Sequence, residues 1–229
     1  MVDFSSNVSA LRRIAVSQST VANNVANIDT PGFKEKQAVL GTESVSITTN
    51  QAQGGIAIKG NSIDVAVNGN GYLQVSTPQG AAFTRAGVVT TNSSGLLADM
   101  NGYPFEPQIS VPSGTNAITI LGDGTVTADV NGTAQTLGQL YLSTFPAPGE
   151  LTSIGNNLLQ ESINSGSGVT NTPGTGGTGY FAFGGLELSN VDPGNNFVTM
   201  IINAQSFVYN INALKVQEEM VQATLSIKG

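Results

Sequence analysis

A chain of 229 residues with neither cysteine nor histidine, and with eight lysines and arginines against fifteen acids for a net charge of −7, excludes several functions at the outset. Disulfides and thiolate chemistry go with cysteine, the commonest general base and metal ligand go with histidine, and nucleic acid is excluded because phosphate binding needs clustered basic side chains. Charged residues are only 10% of the chain, against about 25% in ordinary soluble domains, so its polar surface is mostly neutral Ser, Thr, Asn and Gly.

At the N-terminus, Phe4, Val8, Leu11, Ala15, Gln18, Ala22 and Val25 recur at alternating spacings of four and three, a heptad seam interrupted by Gln18. Ile14, Val21 and Ile28 form a second stripe beside it, so the apolar face is wider than one partner helix requires. No charged residue stands between Ile14 and Ile28, although Asn23, Asn24 and Asn27 do. Lys or Glu would serve a water-facing helix better than Asn, which competes for its own backbone. The pattern predicts a helix packed among others, where amides can donate and accept. Pro31 disfavours helical geometry at Thr30, and Pro31 with Gly32 suits the centre of a type II turn, leaving Phe33 to pack back. The opening residues contain no apolar block of signal-peptide length, and no run approaches the roughly 18 apolar residues of a transmembrane helix.

From residue 34 the period changes to two. Ile63, Val65 and Val67 alternate before paired Asn-Gly steps, and residues 116–145 predict three short strands separated by Asp123-Gly124 and Asn131-Gly132, whose positive φ angles suit tight hairpins. Residues 165–179, rich in Gly, Ser and Thr, predict a loop. Ser189, Asn190 and Asp192 ahead of Pro193 then mark a helix start. Met200, Ala204, Phe207, Ile211, Leu214, Glu218, Val221 and Leu225 step by four and three to the end, so the two chain ends look like partners. The expected fold is α+β, with N- and C-terminal helices (1–33 and 190–229) forming a coiled-coil layer and a central all-β domain over 34–189.

"ANNVANIDTPGFK" at 22–34 resembles the N-terminal signature of bacterial flagellar rod and hook proteins. Further blocks continue the likeness in order, among them "IDVAVNGNGYLQV", "AFTRAGVVTTNSSGLL", "LSTFPAPGELTSIGNNLLQES" and "GGLELSNVDPGNNFVTMIINAQSFVYN". The likeness is strongest to the family's distal rod members, although the segment from Lys34 to Ile58 is short for them. The resemblance implies a structural axial subunit of the flagellar basal body, exported by the flagellar type III apparatus without a cleaved signal peptide. It implies assembly from periplasm to outer membrane into a helical tube that transmits torque to the hook and encloses the export channel. The implied partners are further copies of the chain, other rod and hook proteins, and the periplasmic and outer-membrane ring proteins; no small-molecule substrate is implied. The signature residues Asn23, Asn24, Asn27, Thr30, Pro31, Gly32 and Phe33 would form a hinge. The seam residues Phe4, Val8, Leu11, Ile14, Val21, Val25, Ile28, Met200, Phe207, Ile211, Leu214, Val221 and Leu225 would carry self-assembly. A hook subunit, another rod subunit, and an extracellular β-rich adhesin or glycan-binding module are the alternatives.

No catalytic, metal or cofactor residue is expected. "GTGGTG" and "NGNG" lack the Lys-Ser/Thr and helix of a phosphate loop and read as turns. Asp123 with Asp129, and Glu218 with Glu219, are the only carboxylate pairings worth weighing for glycoside chemistry, and neighbouring helical residues point about 100° apart. Glu218 occupies a seam position, where it either sets register against Gln18 or faces the channel or solvent.

Overall fold

A computed structural model describes residues 5–41, 44–58 and 63–227. The architecture is α+β, with a helix at each end of a long series of antiparallel strands. The chain divides into two compact units.

The first unit gathers both helices and the segment Glu35–Asn50. Helix α1 spans Ser5–Ala26. A hairpin follows, β1 (Lys36–Leu40) against β2 (Val45–Thr49), with Lys36 opposite Thr49 and Leu40 opposite Val45. Helix α2 spans Pro193–Ile227, 35 residues, or about 52 Å at 1.5 Å per residue. Its start follows from the predicted signals: Pro193 supplies a ready-made helical φ, and Asp192 Oδ1 accepts the backbone N–H of Asn195 at 3.2 Å. Beyond Gly194 neither Gly nor Pro interrupts it. Sequence periodicity groups the hairpin with the β region, yet it clusters with the helices. Arg13 Nη1 donates to Gly41 O at 2.8 Å, and Asn24 grips Lys36 from both sides.

The second unit comprises Asp29–Lys34 and Gln51–Asn190. Its strands are β3 (Ile56–Ile58), β4 (Val65–Asn68), β5 (Leu73–Thr77), β6 (Gly80–Thr84), β7 (Thr90–Thr91), β8 (Leu97–Ala98), β9 (Thr115–Ile120), β10 (Thr125–Val130) and β11 (Thr133–Gln139), then β12 (Leu142–Thr144), β13 (Thr152–Gly155), β14 (Leu158–Gln160), β15 (Val169–Asn171), β16 (Tyr180–Phe183) and β17 (Gly185–Glu187). One sheet runs β13-β14-β6-β5 and another β11-β10-β9, while β16 pairs with β4, β17 with β3, β12 with β15 and β7 with β8. Leu73, Val75, Leu97, Phe105, Ile120, Val126, Leu140 and Leu142 form the centre of the core. The three strands expected around Asp123-Gly124 and Asn131-Gly132 are β9, β10 and β11, and Asn131 (φ 53°) with Gly132 (φ 83°) makes the anticipated tight hairpin turn. The expected loop at 165–179 holds one strand, β15, because Val169–Asn171 finds a partner in β12, remote in sequence.

Candidate functional site

Three polar rungs join α1 to α2. Asn7 Nδ2 donates to Gln217 Oε1 at 2.8 Å, Asn203 Nδ2 to Ser17 Oγ at 2.9 Å, and Asn24 Nδ2 to Asn196 Oδ1 at 3.0 Å. Rising numbers on α1 meet falling numbers on α2, so the helices are antiparallel. The buried face of α1 is Ser17, Thr20, Val21 and Asn24. The heptad seam lies elsewhere: Val8 is 39% exposed, Ala15 and Ala22 are exposed, and Leu11 and Val25 are half-buried. Ile14 and Ile28 are also half-buried, and Phe4 lies outside the described residues. On α2, Met200, Ile211, Leu214 and Val221 are half-buried, while Phe207 and Leu225 are exposed. A Gln18–Glu218 register pair is ruled out within the chain. Gln217 sits beside Asn7, eleven residues from Gln18 or about 16 Å along α1, and Gln18 instead faces Asn203, Ala204 and Phe207.

The three asparagines of the signature have separate roles. Asn24 is 1% exposed and every polar atom of its amide is used: Nδ2 donates to Lys36 O (2.8 Å) and Asn196 Oδ1, and Oδ1 accepts Lys36 N (2.9 Å). Asn196 passes the chain on, donating to Glu35 Oε1 at 2.7 Å and to Asp192 O at 2.8 Å. Asn23 is exposed, and Asn27 Nδ2 donates to Asn23 O at 2.8 Å. Sequence reasoning singled out the asparagine run but not Asn196, Asn203 or Ser17. Their signal was polar side chains at heptad spacing, 196 and 203 on one helix and 17 and 24 on the other.

Within the β unit the turn is seated as a plug. Gly32 adopts φ +68°, its N–H donates to Glu187 O at 2.7 Å, and a Cβ there would stand 2.7 Å from Ala86 N and from Arg85 C. Both the positive φ and the close approach demand glycine. Thr30 O accepts Phe33 N at 3.2 Å, Pro31 O accepts Asn157 Nδ2 at 2.6 Å, and the Phe33 ring is buried.

Behind the turn lies a buried ionic cluster. Glu187 Oε1 accepts Lys34 Nζ at 2.6 Å and Gly54 N at 3.0 Å, and Oε2 accepts Arg85 Nε at 2.7 Å. Arg85 Nη1 donates to Gly71 O at 2.5 Å and Nη2 to Val67 O at 3.1 Å. Burial pulls the Lys34 amine below its ordinary range, against the opposing pull of the Glu187 carboxylate. Two cations face one anion, and backbone carbonyls complete the set. Lone charges in apolar stretches, Arg85 in "AFTRAGVV" and Glu187 in "GGLELS", were the available sequence signal in a chain so poor in charge.

The carboxylates weighed for catalysis hold turns instead. Asp123 Oδ1 accepts Thr125 N at 2.9 Å and Asp129 Oδ1 accepts Gly132 N at 2.8 Å. Among the described residues no three potential ligands gather as a metal site.

Terminal helices clamped by buried amides, and a β unit plugged by its own entry turn, define a structural protein built for packing. Three family models match: a flagella basal body rod protein model over 5–34, a flagellar hook protein FlgE/F/G D1 domain over 66–128, and a flagellar basal body rod FlgEFG protein C-terminal model over 184–227. The chain is 33% identical to the flagellar basal-body rod protein FlgG of Buchnera aphidicola subsp. Acyrthosiphon pisum over 239 residues, covering 90% of this chain and 92% of the relative. It is 31% identical to FlgG of Bacillus subtilis, covering 97% of each. The flagellar hook protein FlgE of Treponema pallidum is 37% identical over 98 residues, 43% of this chain and 21% of that protein. The chain belongs to the flagellar basal-body rod protein family and is a structural axial subunit of the bacterial flagellum. The adhesin reading finds no support in these relatives.

Proposed function

We propose that the chain self-assembles through α1 and α2 into the helical, tubular distal rod, which transmits torque from the motor to the hook and encloses the export channel. The observation that carries this is the surface of α2. Val198, Ile202, Tyr209 and Val216 are each more than half exposed, and Lys215, Glu218 and Glu219 are the only charges in its 35 residues. Apolar surface on this scale marks a packing face. The seam residues Val8, exposed, and Leu11, half-buried, serve the same packing, and the Pro31 and Gly32 turn is the hinge between the units. Other rod and hook proteins are its axial neighbours, with the ring proteins around it and the type III apparatus as its exporter. The rod reading also places it across the periplasm as far as the outer membrane.

The 98-residue likeness to a hook protein favours a hook subunit as the second reading. Electron micrographs of basal bodies labelled on this protein separate the two. Label on the straight segment within the envelope is expected, and label confined to the curved segment outside the cell would overturn the rod reading.

A further inference from the structure

Ile14, Ala15 and Gln18 of α1 and Ala204, Phe207 and Val208 of α2 line a groove of about 610 Å³, and no lining residue is charged. Gln18 Oε1 is buried there with no hydrogen-bond partner. The other interfacial amides, those of Asn7, Asn24, Asn196 and Asn203, are all engaged. A buried acceptor without a donor is unfavourable and uncommon. Apolar walls make a poor water site, because a bound water needs several polar partners. The groove therefore calls for an occupant that is apolar, uncharged and able to present one N–H or O–H.

The same chain carries such a surface. At 100° per residue, Val198, Ile202, Gln205, Tyr209, Asn212 and Val216 step by four and three along one side of α2, and all six are exposed. This is the side turned away from the inward-facing Asn196, Asn203 and Leu214. Gln205 lies between Ile202 and Tyr209, and the nearest charges along the chain are Asp192 and Lys215. We infer that this outer stripe of α2 on a second copy seats in the groove, with the Gln205 amide donating to Gln18 as the Gln18 amide turns outward. The inference rests on the axial reading and deepens it. Groove and stripe are different surfaces, so each copy offers one of each. The contact is heterologous, and it propagates into an open polymer instead of closing into a dimer. One polar pair in an apolar seam also fixes register, since any slip leaves an amide unpaired.

The absence of native cysteine allows a clean test. The full-length Gln18→Cys/Gln205→Cys double variant, made in cells lacking the native gene and oxidised with diamide, is expected to give a ladder of dimers, trimers and higher multimers. Neither single variant should give more than a trace of dimer. If that pair blocks assembly, Ser19→Cys/Gln205→Cys, which uses a neighbouring groove residue, decides the matter. Motile cells with no ladder, or a disulfide that joins the Gln18→Cys thiol to α2 of the same chain or to another protein, would overturn this contact and leave the axial reading standing. Failure of the unaltered chain to polymerise would overturn the proposed self-assembly instead.

Discussion

Asn24 Nδ2 donates to Asn196 Oδ1 at 3.0 Å across the start of α2, and the same amide brackets the N–H and C=O of Lys36. One buried amide thus ties α1, α2 and the first strand of the hairpin together. Asn24→Leu keeps the branching pattern and the number of side-chain heavy atoms but leaves Lys36 N, Lys36 O and Asn196 Oδ1 without this partner. At about 1–3 kcal/mol per buried group left unpaired, the helix unit should lose at least about 2 kcal/mol. Asn23→Ala, one residue away and exposed, should change stability by about 0.5 kcal/mol or less. Urea unfolding followed on a probe in the helices compares the two; equal effects would remove the clamp from the account.

Gly32→Ala should destabilise the β unit through strain at φ +68° and through a Cβ set 2.7 Å from Ala86 N. Gly132→Ala is the control, since Gly132 has a comparable positive φ of +83° but no atom within 4 Å of a Cβ. The control should lose about 1 kcal/mol, the left-handed penalty alone, and Gly32→Ala clearly more. Thermal unfolding of both variants checks the order.

Glu187→Gln removes the anion that pairs with both Lys34 and Arg85. Breaking a buried ionic set by deleting one partner costs about 3–5 kcal/mol. The midpoint of β-unit unfolding should fall accordingly. Lys34→Met, which leaves the Arg85–Glu187 pair standing, should be milder.

The ionic cluster also carries a pH signature. The Lys34 amine is held below its ordinary value of 10.5 by burial, so between its folded and unfolded pKa values the unfolded chain binds more protons than the folded one. The penalty for burying the charged amine is fully present below the folded pKa, and stability rises as pH climbs from there toward 10.5. Tyr72 opposes this: burial raises its phenol above 10.0, so its contribution is lost as pH passes that value. Below it, the unaltered chain should gain stability relative to Lys34→Met as pH rises. Denaturant melts of both at a series of alkaline pH values test the slope, and parallel curves would contradict it.

Much of this was legible in the sequence because it rests on local chemistry. Asp192 and Pro193 start α2, Asn131 with Gly132 makes the hairpin, and Gly32 takes positive φ, each for reasons contained within a few residues. The helix pairing was legible only in part. Heptad spacing named the two ends as partners but did not show which face of α1 packs within the chain. Apolar periodicity cannot distinguish a seam filled within the chain from one left open, and here polar Ser17, Thr20 and Asn24 take the inside. The Lys34–Glu187–Arg85 cluster joins residues more than a hundred positions apart, which no local pattern encodes. The hairpin Lys36–Leu40 and Val45–Thr49 reads as ordinary strand, and its attachment to the helices shows in the bonds of Asn24 and Arg13.

The outer face of α2 is the proposed assembly surface. Ile202 is 55% exposed on that face, so Ile202→Asp should change the stability of the chain itself by about 1 kcal/mol or less. Placed against a neighbouring subunit, the same carboxylate faces a desolvation penalty of several kcal/mol, repeated at every contact of the polymer. The measurement is the sedimentable polymer formed by the full-length variant beside the unaltered chain, at matched folded concentration. A folded variant that stays soluble and forms no tubes is expected, while normal polymer yield from Ile202→Asp would contradict an assembly role for this face.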